Sequence, residues 1–157
     1  MSDHKRRKAM MSYDGRRDMR GNMPILLVDD DRIDVMTVKR AFEKNKITNR
    51  LHVASNGEEA LNLLRGAGEA VPVRPGLILL DLNMPVMSGI EFLEIAKTDP
   101  FLRRIPVVVL TTSIEGEDKD KCFDLGVAGY FIKPVVFERF VEAINAIDRY
   151  WTLSEID

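Results

Sequence analysis

Five short segments of the chain are apolar enough to be buried strands: Pro24 to Val28, Leu51 to Ala54, the run that begins at Leu77, Ile105 to Leu110, and Gly129 to Ile132. Unbroken apolar runs bounded by turn residues predict strands covered on both faces, as in parallel sheets. Between them the period changes. Val35, Val38, Ala41 and Phe42 line one face of a helix, as do Ala60, Leu61 and Leu64, then Phe92, Leu93, Ile95 and Ala96, and finally Phe137, Phe140, Val141, Ile144, Ile147 and Trp151. Caps mark the starts. Asp31 precedes the first helix, Asn56 stands three residues before Glu59, and Ser88 stands three residues before Glu91 as a capping box. A helix from about Glu117 to Leu125, stopped by Gly126, has so few apolar positions that it predicts a weakly held element. Residues 66–76, GAGEAVPVRPG, hold too much Gly and Pro for regular structure and read as a long exposed loop. A βα unit repeated five times predicts an α/β fold, one parallel sheet with helices on both faces.

Composition narrows the chemistry. A chain of 157 residues builds one domain with a real core, and 45% hydrophobic with 31% charged residues is ordinary for a soluble protein. No apolar run approaches the roughly 20 residues of a membrane span and no secretory signal is visible, so a cytoplasmic location is expected. The single Cys122 excludes an internal disulfide and reads as a small buried side chain. With two histidines, His4 and His52, the chemistry falls to carboxylates and lysines. Residues 1–22 carry seven basic side chains against three acidic ones, while the remainder carries 16 against 22. This basic N-terminal stretch lacks hydrophobic periodicity and reads as a disordered tail, with the domain covering residues 23–157.

The strand ends carry the candidate site. Ligands of open α/β sheets bind outside the carboxyl ends of the strands. There the sequence places Asp29, Asp30 and Asp31 after the first strand, Asp81 after the third, Thr111 after the fourth and Lys133 after the fifth. A lone aspartate often only caps a turn, but several carboxylates on one edge repel, and protonation or a bound cation relieves them. Oxygen ligands without His or Cys select a hard ion, with Mg²⁺ the natural candidate. A carboxylate nucleophile, a cation, a lysine and a hydroxyl are the parts needed for phosphoryl transfer to an aspartate.

With these residues in this order, ILLVDDD, LILLDLNMPVMSG, PVVVLTTS and GYFIKP, the chain resembles the CheY-like receiver domains of two-component response regulators over about Pro24 to Tyr150. The resemblance implies the flavodoxin-like fold with strand order 2-1-3-4-5. It implies that Asp81 is the phosphoacceptor, charged by a sensor histidine kinase or phosphotransfer protein. Mg²⁺ would be held by Asp30, Asp81 and the backbone carbonyl of Asn83, with Asp29 acting through water. Lys133 would pair with phosphoryl oxygens and Thr111 would move its hydroxyl onto them, while Thr112 is small enough to give access. Tyr130 matches an aromatic switch position, and its plainer role is a strand aromatic packed on the last helix. The Lys133–Pro134 bond is expected to be cis.

The long loop, the VVVLTTS stretch and Tyr150-Trp151 are similar to stand-alone regulators serving cyanobacterial phytochromes. That implies no attached DNA-binding domain and output by contact with a downstream protein. It also allows a homodimer through Phe131, Phe137 or Trp151, each of which has core or tail packing as its plainer role. Activity would be limited to self-phosphorylation from small donors and autodephosphorylation. Two enzyme classes fit poorly. Phosphatases with an aspartate nucleophile need a second Asp where this chain has Asn83, and dinucleotide-binding enzymes need glycines where it has three aspartates. A receiver acting as a phosphorylation-independent interaction module is the remaining alternative.

Overall fold

A computed structural model describes residues 23–68 and 71–154. Elements follow the predicted alternation: β1 (Ile25–Val28), α1 (Arg32–Lys44), β2 (Leu51–Ala54), α2 (Gly57–Arg65), β3 (Leu77–Leu80), α3 (Gly89–Thr98), a 3-10 turn (Leu102–Arg104), β4 (Val107–Thr111), α4 (Gly116–Asp124), β5 (Gly129–Ile132) and α5 (Phe137–Ser154). All strand pairs are parallel, in the order β2-β1-β3-β4-β5. Side chains of β1 and β3 alternate between two cores. Leu26, Val28, Ile78 and Leu80 face α2 and α3 and meet Phe92, Leu93 and Leu64; Ile25, Leu27, Leu77 and Leu79 face α1 and α5 and meet Phe42 and Phe140. Period-two alternation with both faces apolar is what a strand covered on both sides requires.

The caps form as expected: Asp31, Asn56 and Ser88 accept hydrogen bonds from the backbone N–H of Ile33, Glu59 and Glu91. α4 buries only Cys122 among its residues, consistent with the weak hold anticipated for it. The Cys122 thiol is fully covered, and burial pushes its pKa to about 11, so it is a small core side chain. Two expectations need adjusting. β4 begins at Val107, not Ile105, because Pro106 has no N–H and contributes only its carbonyl, which accepts from Ile78. The loop between α2 and β3 is not uniformly exposed: Pro75 and Gly76 are buried, and Arg74 Nη1 donates to the Leu64 carbonyl over 2.8 Å. Phe131 and Phe137 take the plainer role expected of them, packing edge-on against Phe140 with ring centroids 5.7 and 6.0 Å away. The basic tail, residues 1–22, and the Ile144, Ile147, Tyr150 and Trp151 side chains lie outside the described residues.

Candidate functional site

The sheet itself pins the site. β1 and β3 run in step, Val28 beside Leu80, so the next residues, Asp29 and Asp81, leave adjacent strands at the same height. Backbone bonds extend the ladder past each strand: Asp29 N–H donates to Ala54, Asp81 N–H to Val28 and Lys133 N–H to Thr111. Asp29 and Asp81 are buried at 3% and 7% exposure, Thr111 is fully buried, and Asp30 is exposed. Oxygens of Asp29, Asp30 and Asp81 lie within 4.8 Å of one another. An all-carboxylate set with one open member fits a hard divalent cation.

Lys133 answers part of this charge. Its Nζ donates to Asp29 Oδ2 at 2.9 Å and to Asp34 Oδ2 at 2.6 Å, and stands 3.8 Å from Asp81 Oδ2. Burial opposes the ammonium, but the hydrogen bonds to Asp34 and Asp29 outweigh it and hold its pKa above the ordinary lysine value. Burial also raises the Asp81 carboxyl above its usual range; Lys133 lowers it, and the neighbouring Asp29 and Asp30 raise it again. Asp29 is likewise raised by burial, against the pull of Lys133 and of the Asp31 N–H that donates to its Oδ1 over 2.9 Å. One lysine therefore leaves the carboxylate group under-compensated.

The turn after β3 brings the backbone close. Asn83 N–H donates to Asp81 Oδ1 over 3.3 Å, and Asn83 Nδ2 reaches Thr112 Oγ1 at 3.4 Å. Met87 N–H donates to the Pro85 carbonyl over 2.7 Å, closing a γ-turn around Val86, whose φ is +66°. A β-branched residue is strained there. Gly89 N–H then donates to Leu82, and a Cβ on Gly89 would collide with the Asp81 carbonyl oxygen and stand 2.7 Å from Leu82 Cα. Only glycine lets α3 start this close to the strand end.

Thr111 Oγ1 accepts from the Ser113 N–H over 3.2 Å, and Tyr130 Oη donates to the Ser113 carbonyl over 3.2 Å. Among the described residues Tyr130 does not pack on the last helix: its partly buried ring joins the core on the α4 side, 6.4 Å between centroids from Phe123. The Lys133–Pro134 bond is cis. Asp34 went unpredicted. The available signal was its place in the first turn of α1, where carboxylates favour the helix dipole.

The response regulator receiver domain family profile matches residues 25–145. The probable methanogenesis regulatory protein FilR2 of Methanothrix harundinacea is 39% identical over 130 residues, 81% of this chain and 82% of the relative. The response regulator Rcp1 of Synechocystis is 37% identical over 81% of this chain and 87% of its own. Its Mn²⁺-bound crystal structure superposes with a TM-score of 0.70 over 83% of this chain and 94% of that one. The phosphorylated cyanobacterial phytochrome response regulator RcpA superposes with a TM-score of 0.71 at 38% identity, covering 82% and 93%. Among the described residues no helix is long and apolar enough to cross a membrane. Fold, site and relatives agree: this chain belongs to the response regulator receiver family of two-component signalling, whose general property is phosphorylation on an aspartate.

Proposed function

We propose that Asp81 is the phosphoacceptor of this receiver, and that a sensor histidine kinase or phosphotransfer protein supplies the phosphoryl group. The observation that carries the reading is the placement of a buried carboxylate at the end of a central strand, with two further carboxylates within 4.8 Å and a lysine ammonium 3.8 Å away. In the transfer, an Asp81 carboxylate oxygen attacks phosphorus. The bond from phosphorus to the donor histidine nitrogen breaks, and that nitrogen keeps the electron pair. Mg²⁺, held by Asp30, Asp81 and the Asn83 carbonyl with Asp29 acting through water, would neutralise carboxylate and phosphoryl charge. Both Asp29 oxygens already accept protein hydrogen bonds, which supports the indirect role.

Lys133 then pairs with the phosphoryl oxygens. Thr111 exchanges its bond from the Ser113 N–H for one to the phosphoryl group, and small Thr112 leaves the approach open. Tyr130, tied to the same Ser113 through its carbonyl, is placed to follow that movement. The protein is a cytoplasmic switch, with no activity beyond its own phosphorylation from small donors and autodephosphorylation, and it acts on a downstream protein. A homodimer is compatible with this output.

The test is intact mass after incubation with acetyl phosphate or phosphoramidate and Mg²⁺. A gain of one phosphoryl group by the wild type, lost in Asp81→Asn and in a chelated control, is expected. Equal uptake by Asp81→Asn would overturn the assignment.

A further inference from the structure

Lys133 makes its shortest contact not with a strand-end carboxylate but with Asp34, on the first turn of α1. We propose that Asp34 is a positioning residue that restrains phosphorylation by holding the Lys133 ammonium on the α1 side of the site, away from the phosphoacceptor; the proposal rests on Asp81 being that acceptor. The distances are ordered: 2.6 Å to Asp34, 2.9 Å to Asp29 and 3.8 Å to Asp81, so two of the three ammonium donors are committed and the acceptor carboxylate has the weakest claim. Lys133 is largely buried, and a charge-assisted bond in such a setting is screened far less than one at the surface. Asp34 itself is half-buried and reached from α1, whereas Asp29 and Asp81 are fixed by the sheet. Asp34 is therefore the most solvent-open of the three carboxylates around the ammonium.

Two effects follow from the same side chain. For the ammonium to reach a phosphoryl group on Asp81 it must give up, or share, its bond to Asp34. The Asp34 charge also adds to those of Asp29, Asp30 and Asp81, which repel an incoming anionic donor. Both act against phosphoryl uptake; when the carboxylate becomes an amide the repulsion is removed and the hold on the ammonium drops from a charge-assisted bond to an ordinary one. Asp34→Asn keeps the size and the hydrogen-bonding oxygen, and removes the charge.

The experiment measures the rate constant for phosphoryl uptake at saturating Mg²⁺, in wild type, Asp34→Asn, Asp34→Glu and Asp81→Asn. The donors are acetyl phosphate, a dianion at neutral pH, and phosphoramidate, which carries less charge. With acetyl phosphate, Asp81 attacks phosphorus, the bond from phosphorus to the acetyl oxygen breaks, and acetate leaves with the electron pair. Asp34→Asn is expected to take up phosphoryl about threefold faster or more from acetyl phosphate, with a smaller gain from phosphoramidate and a gain that shrinks as salt rises. Asp34→Glu, which restores the charge, should return toward the wild-type rate. A structural role alone would not depend on donor charge or salt. Uptake that is unchanged or slower in Asp34→Asn overturns the proposal while leaving Asp81 as acceptor; no uptake by the wild type, or uptake that survives Asp81→Asn, overturns the underlying reading instead.

Discussion

Gly89→Ala tests how the turn after β3 is built. By helix propensity alone alanine is the better residue, by up to about 1 kcal/mol in a helix interior and less at the first position. The surroundings say otherwise. An added Cβ meets the Asp81 carbonyl oxygen and Leu82 Cα, both backbone atoms of the segment that carries the acceptor, and the Leu82 side chain at 3.0 Å. Backbone cannot rotate out of the way as a side-chain tip can, and overpacking of this kind costs about 1–3 kcal/mol. Subtracting the propensity gain leaves a net loss of about 1–2 kcal/mol. Gly116, also the first residue of its helix, has nothing within 4 Å of its would-be Cβ and is the matched control. Gly116→Ala should be neutral or stabilising by a few tenths of a kcal/mol. Urea unfolding followed by far-UV circular dichroism gives both differences from the shift in midpoint at constant m. Equal stability changes for the two variants, or a gain for Gly89→Ala, would refute the close approach described here.

Other expectations concern charge and strain. Asp81→Asn, measured in chelator at neutral pH, should unfold at higher urea by about 1–2 kcal/mol, since a buried and crowded carboxylate is removed while Lys133 keeps Asp29 and Asp34. The sign with pH is fixed. The Asp81 carboxyl is raised in the folded protein, so its penalty is present above the folded value and is relieved as pH falls through that value toward the ordinary 3.8. The gap between variant and wild type should close on acidification, and a gap that widens would show that the carboxyl is not raised. Val86→Gly should stabilise by about 1 kcal/mol by releasing a φ of +66°, the relief of strain exceeding the added freedom of the unfolded chain; an unfolding midpoint below wild type would contradict that.

The parts of the fold legible in the sequence were those set locally or by burial. Continuous apolar runs marked the strands, and Asp31, Asn56 and Ser88 marked helix starts because capping is a contact over two or three residues. The carboxylate edge was legible too, because parallel strands in step must deliver their ends together. What was not legible depends on distance through the chain. Lys133 and Asp34 are 99 residues apart, and nothing local to either names the other. Tyr130 alternates onto one face of β5, and sequence could not say which helix layer that face meets. Pro106 shortened β4 because an apolar run records burial, whereas the ladder needs an N–H.

The registration of β1 with β3 has a further consequence. Like charges on flexible arms drift apart, but Asp29 and Asp81 are each tied by a backbone N–H to the neighbouring strand, and strands in a sheet sit about 4.8 Å apart. Their repulsion has no mechanical outlet. The ladder thus maintains a standing electrical potential at this edge, comparable to a charged capacitor with fixed plates, which only a change in charge can discharge. Substitutions deep in the apolar layers that loosen the Val28–Leu80 pairing would therefore be felt as altered cation affinity at a site they never touch.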